Sequence, residues 1–305
     1  MATDFSEQQA ELRRVAAEHD AVLLAHNYQR PEMQDAADYV GDSLELSRKA
    51  AATPHSVILF CGVHFMAETA HILAPHKTVL MPDTRAGCPM ANMVTAEQLR
   101  ARKAQHPEAL VVAYVNTSAA VKAESDVCCT SSNAVEIVNR LPRDKQIIFV
   151  PDRNLGDWVQ RQTGREMILW DGYCHVHQNI DPAEIAARRA EFPQAKVMAH
   201  PECTRAVVDL ADVVTSTSGM LRYPGEDPDA AETYIVATET GLLHRLGQMY
   251  PDKSFIAASL NAVCPNMKLT TLDKAIEALE EGLNEITVPA HIRERAAQAV
   301  ARMIV

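Results

Sequence analysis

The chain has 305 residues, of which 47% are apolar and 23% charged, and a formal net charge of −11 at pH 7. This length accommodates two or three domains with apolar cores, and the acidic balance argues against a nucleic-acid or acidic-membrane partner. No apolar run approaches the roughly 18 residues that a membrane-spanning helix needs, and the polar N-terminus lacks a signal-peptide core. We therefore expect a soluble cytoplasmic enzyme without a nucleic-acid or membrane partner.

Four kinds of strand-like segment recur three times in the same order along the chain. The first strands are predicted at 21–27, 110–116 and 196–202, the second at 37–43, 125–131 and 211–217, the third at 56–62, 145–152 and 232–239, and the fourth at 77–88, 165–174 and 253–264. Every fourth segment ends in a cysteine, and every second segment has an aspartate five residues before a hydroxyl. The repeated order predicts three related units.

Helical stretches separate these strands, and the strands are almost continuously apolar, which indicates parallel sheets covered on both faces. The predicted fold class is α/β, with three homologous three-layer α/β/α domains that have short parallel sheets and surround a central active site on a pseudo-threefold axis. The predicted limits are an N-terminal helix at 1–20, domains at 21–104, 105–190 and 191–284, and a C-terminal helix at 285–305.

Polar side chains follow the carboxyl ends of the predicted strands, where parallel α/β sheets bind ligands. They are His26, Tyr28, Ser43, Tyr114, Asn116, Ser131, Cys174, His177, His200, Glu202 and Thr217. The repeat aligns His26, Asn116 and His200, and imidazoles can exchange protons near neutral pH. We expect all these side chains to meet in one cavity.

Three hydroxyl residues, Ser43, Ser131 and Thr217, stand where helices are predicted to begin. Such a residue can cap its helix or help free N–H groups to bind a carboxylate or phosphate. His64, His71, His175 and His244 match no repeated position, so we expect them on the surface or in packing contacts.

The seven cysteines are distributed without a CxxC pair: Cys61, Cys88, Cys128, Cys129, Cys174, Cys203 and Cys264. Their odd number, together with the lack of an export signal, favours free or metal-bound thiols. Cys88, Cys174 and Cys264 share the fourth position of the repeat, which favours a common ligand role, and we interpret the others as structural. Three thiolates suit zinc with a further ligand or an iron–sulfur cubane with one open iron.

Eleven motifs between about residues 22 and 268 together resemble the quinolinate synthase family. In chain order they are AHNYQ, GDS, FCGVHFMAET, MPDTRAGCPMAN, AYVNTSA, DVCCTSSNA, VPDRNLGDWV, WDGYCHVH, HPEC, STSGM and VCPNMK. The resemblance implies three α/β domains around a pseudo-threefold axis and a [4Fe–4S] cluster on Cys88, Cys174 and Cys264. It also implies condensation of iminoaspartate with dihydroxyacetone phosphate to quinolinate, for de novo NAD biosynthesis.

The resemblance further implies roles for individual residues. Substrate groups are expected to bind His26, Ser43, Tyr114, Asn116, Ser131, His200 and Thr217. Tyr28 and Glu202 are the candidates for proton transfer, with His177 assisting beside the cluster. The pathway implies a functional link to an L-aspartate oxidase or dehydrogenase.

Two alternatives belong to other classes of protein. One is a different cluster- or zinc-dependent dehydratase or aldolase on the same scaffold, which metal and sulfide analysis would distinguish. The other is a non-enzymatic iron–sulfur sensor, which would not need a pocket rich in Tyr, His, Glu and hydroxyl groups.

Overall fold

The computed structural model describes residues 4–304, and twelve strands occur in that part of the chain. The strands are β1 (Ala21–His26), β2 (Tyr39–Gly41), β3 (Val57–Cys61), β4 (Thr78–Leu80), β5 (Leu110–Tyr114), β6 (Val127–Cys129), β7 (Ile147–Val150), β8 (Ile168–Leu169), β9 (Lys196–Ala199), β10 (Val213–Val214), β11 (Thr233–Ala237) and β12 (Ser254–Ala257). Each lies inside one of the segments predicted from the repeat.

Helices alternate with these strands and flank them at both ends of the described chain. They are α1 (Ser6–Glu18), α2 (Pro31–Ala36), α3 (Ser43–Ala52), α4 (His64–Leu73), α5 (Ala96–Gln105), α6 (Ala119–Lys122), α7 (Ala134–Arg140), α8 (Arg153–Thr163), α9 (His175–Gln178), α10 (Pro182–Glu191), α11 (Arg205–Val208), α12 (Thr217–Glu226), α13 (Leu242–Met249), α14 (Leu272–Glu280) and α15 (Ala290–Ile304). Short 3-10 turns lie at Met90–Asn92 and Met267–Leu269.

The strands form three parallel sheets of four strands each, and all three sheets have the same topology. Their orders are β2-β1-β3-β4, β6-β5-β7-β8 and β10-β9-β11-β12. All six residues of β1 and all four of β7 are buried, as expected for strands with helices on both faces. The predicted α/β fold with three homologous domains is therefore confirmed.

Strand pairing fixes which residues are equivalent in the three domains. Ala25, Ala113 and Ala199 of the first strands pair with Cys61, Val150 and Ala237 of the third strands. The residues that follow the three alanines, His26, Tyr114 and His200, are therefore equivalent. The predicted alignment of Asn116 with the two histidines was wrong by two residues, because β5 ends at Tyr114 and the apolar run continues into a turn.

The terminal helices pack mainly on the first two sheets. Leu12 and Val15 of α1 and Leu279 of α14 cover one face of the first sheet. Val300 of α15 lies in a core that the first two sheets share. The chain also returns to the first sheet after α14, where Glu285 bridges to Leu80 of β4. The first and second domains are thus joined by a continuous apolar core.

Helices α1 and α15 lie within the terminal segments predicted at 1–20 and 285–305, of which residues 1–3 and 305 lie outside the described part of the chain. The domain limits stay predictions. Within residues 4–304, no helix is both long and apolar enough to cross a membrane.

Candidate active site

One cavity of about 750 Å³, including the part open to solvent, lies where the carboxyl ends of the three sheets meet. Its wall contains every candidate residue from the sequence: His26, Tyr28, Ser43, Cys88, Tyr114, Asn116, Ser131, Cys174, His177, His200, Glu202, Thr217 and Cys264. The fold therefore brings these residues together, while their individual roles stay predictions.

The three cysteine loops are attached to the sheets by the same backbone hydrogen bond. In each domain, an N–H group just beyond the third strand donates to the carbonyl two residues before the cysteine. The pairs are His64 with Ala86 at 2.8 Å, Arg153 with Gly172 at 2.8 Å, and Thr240 with Ala262 at 2.9 Å. Cys88, Cys174 and Cys264 are therefore held at equivalent places in the threefold arrangement.

The environment of these three thiols opposes a free negative charge. Burial raises the pKa of Cys88 to about 12, and it also raises the pKa of Cys174 and of Cys264. In each case the backbone N–H three residues further on, from Ala91, His177 or Met267, lowers the thiol pKa in the opposite direction. Metal-bound thiolates typically accept hydrogen bonds from nearby backbone N–H groups. The surroundings of these three sulfurs are therefore compatible with metal binding.

The other four cysteines, Cys61, Cys128, Cys129 and Cys203, are buried free thiols. Within residues 4–304, one group of His, Cys or acidic side chains has three ligand atoms within 4.8 Å of one another: Cys174, His177 and Glu202. By donor type this group suits a single zinc ion. The sulfurs of Cys88, Cys174 and Cys264 do not form a group within that distance.

A chain of polar contacts runs from Tyr114 in the second domain, through residues of the second and third domains, to Tyr28 in the first domain. The Tyr114 hydroxyl donates to Glu202 Oε1, and Glu202 Oε2 lies 3.0 Å from His177 Nδ1. On the other side of the imidazole, His177 Nε2 lies 2.8 Å from the Thr238 hydroxyl. The same hydroxyl lies 2.6 Å from Tyr28 Oη. The predicted proton-transfer residues therefore lie in contact with one another, although His177 Nδ1 is not aligned for a hydrogen bond to any described residue. Thr238 is the link that sequence reasoning missed.

The protonation states in this chain are set by burial and by Glu202. Burial, reinforced by the charge of Glu202, raises the pKa of Tyr28 and Tyr114 well above the usual value, so both phenols stay protonated. Burial alone would raise the pKa of Glu202, but His177 and His200 lower it below its usual range. Glu202 is therefore ionised at neutral pH and accepts the hydrogen bond of the protonated Tyr114 hydroxyl.

His26 and His200 have the same local geometry. His26 Nδ1 accepts the backbone N–H of Tyr28 at 3.1 Å, and His200 Nδ1 accepts that of Glu202 at 3.3 Å. Burial lowers the pKa of His26 to about 4 and that of His200 to about 3, so both rings are neutral near pH 7. Because Nδ1 is an acceptor, the ring proton belongs on Nε2, and each histidine can donate one hydrogen bond to a ligand.

The predicted capping role of Ser43, Ser131 and Thr217 is wrong. The preceding residues cap α3 and α12: Asp42 accepts the N–H groups of Leu44 and Glu45, and Ser216 accepts that of Gly219. Asn133 is at the cap position of α7, and its side chain makes no capping hydrogen bond to that helix. The three predicted hydroxyls lie one residue beyond these positions or earlier in the turn, and they line the cavity instead.

The three helix starts that carry these hydroxyls contact one another. The Ser132 hydroxyl donates to Asp42 Oδ2 at 2.6 Å and lies 2.9 Å from Ser216 Oγ. One residue from each domain takes part, so the contact fixes the relative positions of Ser43, Ser131 and Thr217.

Other cavity residues carried no repeated signal in the sequence. His175 was expected on the surface or in packing, but it lines the cavity, because it directly follows Cys174 at the start of α9. Glu239 and Asp42 are also in the wall. Asn116 Oδ1 is buried there without a hydrogen-bond partner in the described structure. Among the described residues that line the cavity, none is a lysine or arginine.

A family model described as Quinolinate synthetase A protein matches residues 10–305. The chain is 54% identical over 294 residues to a protein named quinolinate synthase from Geobacter metallireducens, covering 96% of each chain. It is 53% identical over 296 residues to one from Methanoregula boonei and 52% identical over 295 residues to one from Desulforudis audaxviator, each covering 97% of both chains. The chain therefore belongs to the quinolinate synthetase A family, whose members are enzymes.

Proposed function

We propose that this enzyme condenses iminoaspartate with dihydroxyacetone phosphate to quinolinate, releasing phosphate and water, as a step of de novo NAD biosynthesis. We propose that Cys88, Cys174 and Cys264 hold a [4Fe–4S] cluster for this reaction. The observation that carries the proposal is the position of three equivalent cysteine loops around one cavity that also contains the contacts from Tyr114 to Tyr28. Family membership supports the same conclusion.

The cysteine loops fit the proposed cluster in donor type and surroundings. Each cysteine has a backbone N–H close to its sulfur, and burial raises the pKa of each thiol. A bound metal would stabilise the thiolate charge that burial otherwise disfavours. When bound through three thiolates, such a cluster supplies one iron with an open position, which is a Lewis acid for a substrate oxygen.

Substrate anions would bind neutral donors in this cavity. Iminoaspartate has two carboxylates and dihydroxyacetone phosphate has a phosphate, whereas no lysine or arginine occurs among the described lining residues. Ser43 and Thr217 stand in the first turns of the ten-residue helices α3 and α12, where hydroxyl and N–H groups favour anions. The Nε2–H groups of His26 and His200 add two donors, and Asn116 Oδ1 is a free acceptor.

The acid–base steps would use the contacts between Tyr114 and Tyr28. Carbon–carbon bond formation requires removal of the proton next to the imine of iminoaspartate, and ionised Glu202 is a base in reach of the cavity. Loss of hydroxide requires a proton donor, and protonated Tyr28 supplies one. The hydroxyl of Thr238 and the imidazole of His177 connect the two ends. A proton taken at Glu202 can therefore return through Tyr28.

The supply of substrate and the location also belong to this proposal. An L-aspartate oxidase or dehydrogenase would form the unstable iminoaspartate that the reaction consumes. A cytoplasmic location fits the seven free cysteines, since thiols stay reduced there.

A second candidate is a zinc-dependent dehydratase or aldolase, which the Cys174, His177 and Glu202 group favours. In that enzyme Glu202 and His177 would bind the metal and would not transfer protons. Metal analysis separates the two candidates, because zinc would replace iron and no acid-labile sulfide would be found.

Quinolinate formation by anaerobically purified protein tests the proposed reaction. Iminoaspartate is generated in the assay from L-aspartate by an aspartate-oxidising enzyme, and dihydroxyacetone phosphate is added. Mass spectrometry should detect quinolinate, and phosphate should appear in equal amount, with neither product when dihydroxyacetone phosphate is omitted. Protein that contains iron and sulfide yet forms no quinolinate would contradict the proposed substrates.

A further inference from the structure

The carboxylate of Glu239 is attached directly to the third cysteine loop. Its Oε1 accepts the backbone N–H of Cys264 at 3.0 Å, and its Oε2 accepts that of Gly241 at 2.7 Å. Lys268 Nζ lies 3.0 Å from Oε1 and provides the opposite charge. Hydrogen bonds to an ionised acceptor are shorter and stronger than neutral ones, so this buried side chain restricts where the Cys264 backbone can lie.

The position of Glu239 is repeated in the second domain. Strand pairing makes Val63, Asp152 and Glu239 equivalent, since each comes two residues after the paired residue of its third strand. Asp152 is fully buried, and burial raises the pKa of its carboxyl well above the usual range, while the nearby Cys174 N–H acts in the opposite direction. The side chain of Val63 cannot accept a hydrogen bond, so the first cysteine loop has the His64–Ala86 backbone bond without a carboxyl group at this position. In two of the three domains, a carboxyl group thus lies near the backbone N–H of the repeated cysteine.

Burying the charges of Glu239 and Lys268 costs desolvation free energy, and apolar residues could fill the same space without that cost. Glu239 is only 1% exposed, and ionic pairs in such places often add no net stability over apolar residues. A buried charge that also accepts two backbone N–H groups is better suited to fixing a loop. Lys268 also donates to the backbone carbonyl of Tyr28. The Glu239–Lys268 pair therefore connects the Cys264 loop with Tyr28, the last residue in the chain of polar contacts.

We propose that Glu239 is a positioning residue, which holds the Cys264 backbone in place for iron–sulfur binding with Lys268 as its counter-ion. The proposal rests on the cluster proposed above. Glu239 would act through Cys264 and would not itself bind iron.

Iron retention by the Glu239→Gln variant tests this role without an activity assay. The amide keeps the shape of the side chain but removes the charge and replaces one acceptor oxygen with a donor. Purified, cluster-loaded protein is titrated anaerobically with an iron chelator while the cluster absorbance is followed. Loss of an outer hydrogen-bond partner typically weakens metal binding about 10–100-fold, and we expect a loss of iron affinity in that range.

Asp227→Asn is the matched control in the same domain. Asp227 is a buried carboxylate that pairs with Lys196 and accepts the N–H groups of Asp229 and Ala231, and it is not among the described residues that line the cavity. We expect this variant to retain iron like the wild type even where its thermal stability is lower. Glu239→Asp is the second test variant, because it keeps the charge but is one methylene too short to hold the Cys264 N–H. We expect weaker iron binding there too.

Each result decides the role of Glu239. Weaker iron binding in Glu239→Gln or Glu239→Asp, with normal binding in Asp227→Asn, would support it. Wild-type iron affinity in both folded Glu239 variants would overturn the role of Glu239 and leave the proposed function intact. Wild-type protein that takes up no iron and sulfide would overturn the cluster and this role together.

Discussion

The cavity has two sides that differ in chemistry although equivalent strands build both. On one side, which we propose for acid–base chemistry and call the acid–base side, Tyr28, Tyr114, His177, Glu202 and Thr238 form a series of polar contacts. On the hydroxyl side, Ser43, Ser131 and Thr217 follow the second strands of the three sheets. Three equivalent positions carry the same functional group on the hydroxyl side, whereas the equivalent first-strand ends carry His26, Tyr114 and His200.

This difference indicates how a repeated fold can build an asymmetric site. Binding of several anionic groups can use one donor type three times, so the hydroxyl side keeps the symmetry of the sheets. Proton transfer requires an acceptor and a donor that differ, and the acid–base side departs from symmetry. We therefore expect variants on the two sides to change different kinetic constants.

The largest effect is expected for Glu202→Gln on the acid–base side. The amide cannot accept a proton, so kcat should fall about 10²–10⁴-fold, with little change in KM. Steady-state quinolinate assays under anaerobic conditions measure both constants, and iron content confirms that the variant is loaded. A loaded variant whose kcat stays within threefold of the wild type would remove Glu202 from the acid–base mechanism.

A smaller effect, on KM, is expected for Ser43→Ala on the hydroxyl side. A hydrogen bond to a charged group is worth about 1.5–3 kcal/mol, so KM for one substrate should rise about 10–150-fold while kcat is retained. Ser47→Ala is the control, because the Ser47 hydroxyl donates to the Ser43 carbonyl within the same helix. A large fall in kcat with unchanged KM would place Ser43 in the chemistry instead.

Thr238→Val sharpens the comparison on the acid–base side. Valine keeps the shape but removes the hydroxyl between His177 and Tyr28, and a neutral hydrogen bond is worth about 0.5–1.5 kcal/mol. We expect kcat to fall by up to about tenfold. Thr240→Val, two residues further along, should leave kcat unchanged, and equal effects of the two substitutions would argue against a proton path through Thr238.

The smallest effect concerns stability below neutral pH. Burial lowers the pKa of His26 from 6.5 to about 4, so the unfolded chain binds a proton that the folded protein does not. Stability should therefore fall as the pH falls, by about 1 kcal/mol from this residue between pH 6.5 and 5.5. Urea unfolding of wild type and His26→Gln measures the difference. An identical pH dependence in both proteins would contradict a neutral, buried His26.

The fold was predictable because the repeat is expressed in apolar strand patterns, and every observed strand lies inside a predicted segment. The residues at which the strands end were harder to predict from the sequence. In the run LVVAYVN an apolar residue, Val115, follows Tyr114, so the sequence suggested that the strand continues to Asn116 and that Asn116 is the equivalent of His26. Helix starts were ambiguous for a similar reason: GDS and STS each offer two consecutive capping residues, and only backbone geometry distinguishes Asp42 from Ser43.

Residues that act through tertiary contacts had no local signal. Thr238 follows an ordinary apolar strand, and its hydroxyl is important only because His177 and Tyr28 come from two other domains. Glu239 is similar, since its bond to Cys264 spans 25 residues. The convergence of Cys88, Cys174 and Cys264 on one cavity was predictable because their positions repeat along the chain. A single motif does not contain that information.

Iron, zinc and acid-labile sulfide content of protein purified without oxygen tests the three-cysteine site most directly. Wild-type protein should contain about four irons and four sulfides per chain. Cys174→Ser should lose them, whereas Cys61→Ser, which changes a buried core thiol, should retain them. Zinc without sulfide would contradict the cluster and favour the Cys174, His177 and Glu202 site, and iron and sulfide retained in Cys174→Ser would exclude Cys174 as a ligand.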